Sequence, residues 1–411
     1  MGRLTDPPTL TAARAEPSAP AAAPPARIAS IDAYRGLVMF LMMAEVLRTC
    51  AVAKATGSRF WEFLCGQQTH VEWVGCTLHD LIQPSFSFLV GVALPFSIAS
   101  RAARGQSAPL MLGHAAWRAL VLVSLGVFLR SVGRSQTNFT FEDTLSQIGL
   151  GYVLLFSIGL RPPRDQWITL GAILAGYWML FAFGPLPGPD FDTESVGVPR
   201  NWPFLLDGFA AHWQKNMNSA AAFDVWFLNL FPREKPFAYN GGGYLTLSFI
   251  PTLGTMLLGL IAGRVLRNDW KVSRRAGWFA AAAVIGLAGG SFLGATGLCP
   301  VVKRIWTPSW VLYSGGWCFL FLAGFHLLLE GRDARWWAFP LIVIGANSIA
   351  AYCMAHLFDG FIAQALLTNL GRGVFQAFGE AYEPFLHGAA VLLVLWLILL
   401  WMYRRRIFLR I

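Results

Sequence analysis

Charge is scarce in this 411-residue chain. Asp, Glu, Lys and Arg together make up 13% of it, roughly half the share of an ordinary soluble domain. That scarcity excludes a solvated cytosolic enzyme and a disordered protein. The six cysteines (Cys50, Cys65, Cys76, Cys299, Cys318 and Cys353) include no C-x-x-C pair and no metal spacing. A disulfide scaffold and a zinc module are thereby excluded, although Cys50, Cys65 and Cys76 fall near one loop where a single disulfide is open. The first 26 residues contain no apolar run, so they are not a secretory signal. No clear internal repeat is present, which weighs against an inverted-repeat transporter.

Apolar sequence is what the chain has in abundance. Hydrophobic residues reach 55% and the mean hydropathy is +0.51. The 41 glycines and 17 tryptophans suit helices that pack closely in lipid and anchor at its interfaces. The expected fold class is an all-α, polytopic membrane helix bundle. A span needs about 20 apolar residues, and ten segments approach that: 31–52, 77–100, 114–131, 144–161, 167–184, 244–266, 276–296, 307–329, 337–359 and 384–403. Residues 1–26, dense in Pro and Ala, read as a disordered cytoplasmic tail, and 27–411 as one transmembrane domain.

The net charge of +10 does not imply nucleic acid. Lys and Arg gather on the cytoplasmic flanks of membrane helices. With the amino terminus inside, the cytoplasmic pieces hold 18 Lys and Arg over about 75 residues, against about 12 over about 130 outside. The Arg264 to Arg275 cluster and the Arg404-Arg405-Arg406 tail decide the orientation, and both termini are expected inside. One long loop, about 185–243, then lies outside. Its aromatic and polar side chains offer what a sugar ring needs, with Trp213, Asp224 and Trp226 as candidate acceptor contacts. The plainer reading is a folded cap anchored by its tryptophans.

Ionisable side chains inside a span are costly and mark sites. The second span opens His70-x-x-Trp73-x-Gly75-x-Thr77-x-x-Asp80-Leu-x-x-Pro84. Helical spacing places Thr77, Asp80, Pro84, Ser87 and Gly91 on one stripe. A histidine at the mouth and a carboxylate below it form a base and its orienting partner; the alternative is a structural Asp80 paired with an arginine beside a solvated His70. Glu45, deep in the first span, is a site carboxylate or a partner for Arg118 or Arg130. Ser30 is placed to cap the first helix. Arg35, one turn in, is either a phosphate contact or the partner of Asp32. In the ninth span Asn347, Tyr352 and His356 nearly share a ridge.

Several blocks resemble one family together: Ser30-Ile-Asp32-Ala-Tyr-Arg35-Gly36, the His70 to Phe86 motif, Gln147-Ile-Gly149-x-Gly151-Tyr152, Leu253-Gly254-x-x-Leu257-Leu258-Gly259, Trp306-Thr307-x-Ser309 and Gly345-x-Asn347-Ser348-Ile349-x-x-Tyr352-x-x-x-His356. From about residue 27 to 403 the chain resembles the transmembrane region of heparan-α-glucosaminide N-acetyltransferases and their bacterial relatives. The resemblance implies a transmembrane acyltransferase that takes an acetyl group from cytosolic acetyl-CoA to an extracytoplasmic sugar or glycolipid. It implies His70 as the reactive histidine and Asp80 as its aspartate. Thr77, Asn347, Tyr352, His356 and Glu45 are then candidates for the substrate and oxyanion sites, and Arg35 for the CoA phosphates. The expected setting is a bacterial inner membrane. The expected partners are lipid, the acyl donor and the glycan acceptor, with a homodimer open, no nucleic acid and no metal. The rival function is a non-enzymatic transporter that uses the same polar stripe.

Overall fold

The computed structural model describes residues 28–332 and 336–409; the tail expected over 1–26 lies outside them. Among these residues the chain is helical, and its single antiparallel bridge joins Val74 to Val302. Helices α1 (Ala29–Met43), α2 (Thr49–Thr56) and α3 (Arg59–Gln67) lead into α4 (Ile82–Ala103), α5 (Ala108–Ser131), α6 (Thr144–Gly159) and α7 (Pro163–Ala182). After the short α8 (Ser219–Leu228) come α9 (Phe249–Arg267), α10 (Val272–Ala295) and α11 (Pro308–His326). The chain closes with α12 (Phe339–Ala346), α13 (Ser348–Leu357), α14 (Asp359–Leu370) and α15 (Glu383–Arg404).

Six helical stretches, built on α4, α5, α9, α10, α11 and α15, are long and apolar enough to cross a membrane; counting two bent pairs as one span each gives eight. The chain is an integral membrane protein, and its described residues hold six to eight such spans rather than all of the expected ten. The segment at 144–161 forms a helix of only 16 residues, short for a 30 Å hydrocarbon layer. The expected spans 31–52 and 337–359 are both broken. The first bends by 46° after a 3₁₀ turn that ends on Arg48 in the left-handed region (φ 49°), and the second bends by 81° at Asn347.

Helix α9 is the axis of the bundle, 83% buried along its span, whereas only 22% of α5 and 28% of α10 and α15 are enclosed. The peripheral helices therefore turn most of their apolar surface to lipid. Helix α4 crosses α9 at contact distance because small residues stand at the crossing. A Cβ at Gly91 would strike the Met256 carbonyl, and one at Gly259 the Phe88 carbonyl, so only glycine lets the backbones approach. Helix starts follow local chemistry. Asp143 caps α6 by accepting from Leu145 N at 2.9 Å, and Thr307 caps α11 with Pro308 behind it. Ser30 does not cap α1; its backbone N–H donates to Glu330 at 3.2 Å.

The segment 185–243 folds as a cap whose buried side chains join a second apolar cluster shared with α7 and two loops. Trp213, Ala220 and Ala221 pack with Trp73, Tyr177, Phe181, Val302 and Ile305. Cys50 and Cys65 are joined in a disulfide that clasps α2 to α3; Cys76 is a free thiol.

Candidate active site

Residues 68–78 were expected to begin a helix at 77. They form a loop instead, and a 3₁₀ turn, His79–Leu81, precedes α4. Gly75 permits the turn with φ +126°, a value rarely open to a residue with a Cβ. The loop is held on both sides. Trp73, fully buried, donates its indole N–H to the Trp213 carbonyl at 3.2 Å. Gly75 N donates to the Val301 carbonyl at 3.0 Å, beside the bridge between Val74 and Val302. This docking sets the 70–80 motif against residues 299–307.

The result is a three-membered charge cluster. His70 Nδ1 lies 2.8 Å from Asp80 Oδ1, and Lys303 Nζ lies 3.3 Å from that oxygen and 3.1 Å from His70 Nδ1. The other carboxylate oxygen of Asp80 accepts from Thr77 N at 3.0 Å and Val71 N at 3.3 Å, with the Thr77 hydroxyl 2.9 Å away. Asp80 is fully buried and Lys303 is 4% exposed, whereas the His70 side chain keeps 36% of its surface. With Nδ1–H donated to Asp80, the lone pair of Nε2 is left as the basic site. Burial holds the His70 imidazole below its ordinary pKa despite the aspartate. Burial also pushes the Lys303 ammonium down to about 8 against the attraction of Asp80.

His70 opens onto a cavity of about 730 Å³. The cavity lies between the carboxyl ends of α1 and α13, the amino ends of α4 and α6, and the 240–244 loop. Glu45, His79, Arg130, Tyr244, Tyr352 and His356 stand in its wall. His79 Nε2 meets Glu45 Oε1 at 3.2 Å, and its ring centre lies 4.4 Å from that of His70. Glu45 thus pairs with His79 rather than with Arg118 or Arg130. Tyr352 and His356 stack at 4.4 Å. Among the described residues no three His, Cys, Asp or Glu side chains converge as a metal would require.

Other expected positions fall elsewhere. Thr77 is off the helix and is spent on holding Asp80. Asn347 sits at the break between α12 and α13, where its amide donates to the Ile407 carbonyl at 2.9 Å and accepts from Leu409 N at 3.1 Å; it belongs to the far end of the bundle. Arg35 pairs with Asp32 at 3.2 Å, also away from the cavity. Trp213 has no exposed face, and Asp224 is buried against Thr246 N at 2.9 Å. Trp226 is 61% exposed and does not line the cavity. The candidate acceptor contacts therefore form no common surface.

Lys303 and His79 escaped sequence reasoning. Lys303 left one faint signal, a Lys-Arg pair in a connection expected on the side poor in basic residues. Its holder is the Trp306-Thr307-x-Ser309 block, where the Thr307 hydroxyl accepts from Val302 N at 3.1 Å and donates to the Pro300 carbonyl at 2.8 Å.

No family model matches the chain. The human heparan-alpha-glucosaminide N-acetyltransferase is 23% identical over 432 aligned positions, which cover 93% of this chain and 60% of the human protein. The mouse protein of the same name is 23% identical over 370 positions, 82% of this chain and 54% of its own length. The chain thus spans a little over half the length of the curated relatives it matches. With that coverage on a helical membrane bundle, the chain is similar, at a distance, to the heparan-alpha-glucosaminide N-acetyltransferases.

Proposed function

We propose that the protein is an acyltransferase that moves an acetyl group from acetyl-CoA to an amino or hydroxyl group of an extracytoplasmic sugar or glycolipid. One observation carries the reading: a histidine oriented by a buried aspartate faces a cavity of about 730 Å³. The names of the relatives supply the reaction class. The basic asymmetry supports a reading with both termini in the cytoplasm, and the membrane in this reading is a bacterial inner membrane. The disulfide between Cys50 and Cys65 lies at the cavity end and supports the same orientation, because disulfides persist in oxidising compartments.

In this reaction the acceptor nitrogen or oxygen attacks the thioester carbonyl. A bond from that atom to carbon forms, and the carbon–sulfur bond breaks. His70 Nε2 takes the proton from the acceptor and returns it to the leaving thiolate. Asp80 holds the imidazole in the required tautomer and stabilises it once charged. The Lys303 ammonium beside them lowers the energy of the developing oxyanion. The test is label transfer from isotopically marked acetyl-CoA to hexosamine-containing envelope glycans by the purified protein in nanodiscs. Transfer by the native protein and none by His70→Ala, at unchanged melting temperature, is the expected result. Equal transfer by both proteins would remove His70 from the chemistry.

A further inference from the structure

A second polar cavity lies at the opposite end of the same helices. Helix α4 runs from Asp80 toward Arg101, and α5 returns from Ala108, so Arg101 and His114 stand at the end remote from His70. Helix α5 packs along α6 and makes little contact with α4. The gap between α4 and α5 is a groove of about 270 Å³ floored by Tyr152 and Phe156 of α6. Its cationic side chains are Arg101 and Arg118, with His114 beside them.

Arg118 is the telling residue. It lies ten residues into α5, about 15 Å along the axis at the helical rise, within a predominantly apolar span. A charge at that depth is costly without a partner. Its Nη1 donates to the Tyr152 hydroxyl at 3.0 Å, a neutral group, and its Nε is buried with no hydrogen-bond partner. No carboxylate lines the groove among the described residues. Among the described residues the side chain of Arg101 meets a neutral amide, Gln106, at 3.2 Å. The surroundings are those of a lipid rather than of a soluble ion. Trp117 at the groove is 65% exposed and Leu120 beside it 58%, on a helix that faces outward along most of its length. Met111, Val121 and Phe156 add apolar wall.

We propose that this groove binds the phosphate of an anionic phospholipid, with Arg101 and Arg118 holding the phosphodiester and the acyl chains lying along α5. Basic pockets between membrane helices recognise such headgroups, and the planar guanidinium fits phosphate oxygens in pairs. The site is separate from the His70 cavity and does not depend on the reaction proposed above. The test uses the full chain in nanodiscs of phosphatidylcholine with or without phosphatidylglycerol, with retained lipid read by native mass spectrometry. The native protein is expected to retain phosphatidylglycerol selectively. Arg118→Gln and Arg101→Gln should each reduce that retention roughly fivefold or more, while Arg274→Gln, outside the groove, leaves it unchanged. Arg101 sits at the rim, so its variant keeps the test open if Arg118→Gln fails to fold. Retention unaltered in both groove variants would overturn the proposal. Displacement of the lipid by free coenzyme A or inorganic phosphate would also overturn it, by assigning the groove to a soluble phosphate.

Discussion

Replacing Asp80 by Asn tests the cluster most directly. The carboxylate takes the Nδ1–H of His70 and the Lys303 ammonium on one oxygen, and two backbone N–H groups on the other. An amide has one acceptor oxygen for these donors. If that oxygen stays with Thr77 and Val71, the new NH₂ faces His70 and Lys303. His70 must then accept at Nδ1 and carry its proton on Nε2, so the basic lone pair is lost. Trapping the wrong tautomer should lower turnover by about 10²–10⁴-fold. Stability falls as well, because a buried ammonium is left without its counter-charge, at about 3–5 kcal/mol for breaking such a pair. The double variant Asp80→Asn, Lys303→Met separates the two effects. It removes the stranded charge, so the melting temperature recovers toward the native value while turnover does not. The assays are acetyl transfer and thermal unfolding on the same preparations. If Asp80→Asn keeps turnover within tenfold of native, or if the double variant regains it, the orienting role of the aspartate is wrong.

The pH profile should show two limbs. Burial holds the His70 pKa below its ordinary value, so the base form already predominates at about pH 6.5 and the acid limb, where turnover falls, lies below the position of an ordinary histidine. Lys303 loses its charge as pH rises through about 8, and turnover falls there; Lys303→Arg, which stays charged, should abolish the alkaline limb in a rate-against-pH series. Opening the disulfide by Cys50→Ser releases a clasp across a separation of 15 residues and should cost about 3 kcal/mol. Equal denaturation midpoints for the variant and the native protein would refute that value. Single cysteines at Ser195 and Ser273, both exposed, should report the orientation: an impermeant thiol reagent on intact cells labels position 195 and spares 273, and the reverse pattern would invert the topology.

Membrane character was readable from sequence because it is a local property. Any window of about 20 apolar residues declares itself whatever its neighbours do. The spacing of His70 and Asp80 was equally local, ten residues of one loop and turn, and the structure sets their side chains 2.8 Å apart. Backbone breaks are what leave the number of spans between six and eight. Arg48 and Asn347 end helices through a left-handed residue and through side-chain bonds to the carboxyl-terminal segment, and hydropathy carries no trace of either. The acceptor candidates misled for a related reason. Composition makes Trp213 and Asp224 equally suited to binding a sugar or to forming the cap's interior, and only packing sends them inside. Lys303 shows the limit most plainly. It reaches His70 across 233 positions of sequence, through a Trp73 anchor, a backbone bridge and a threonine-held turn that must all form together. Such a contact is decided by how two distant loops dock, and no periodicity along the chain encodes it.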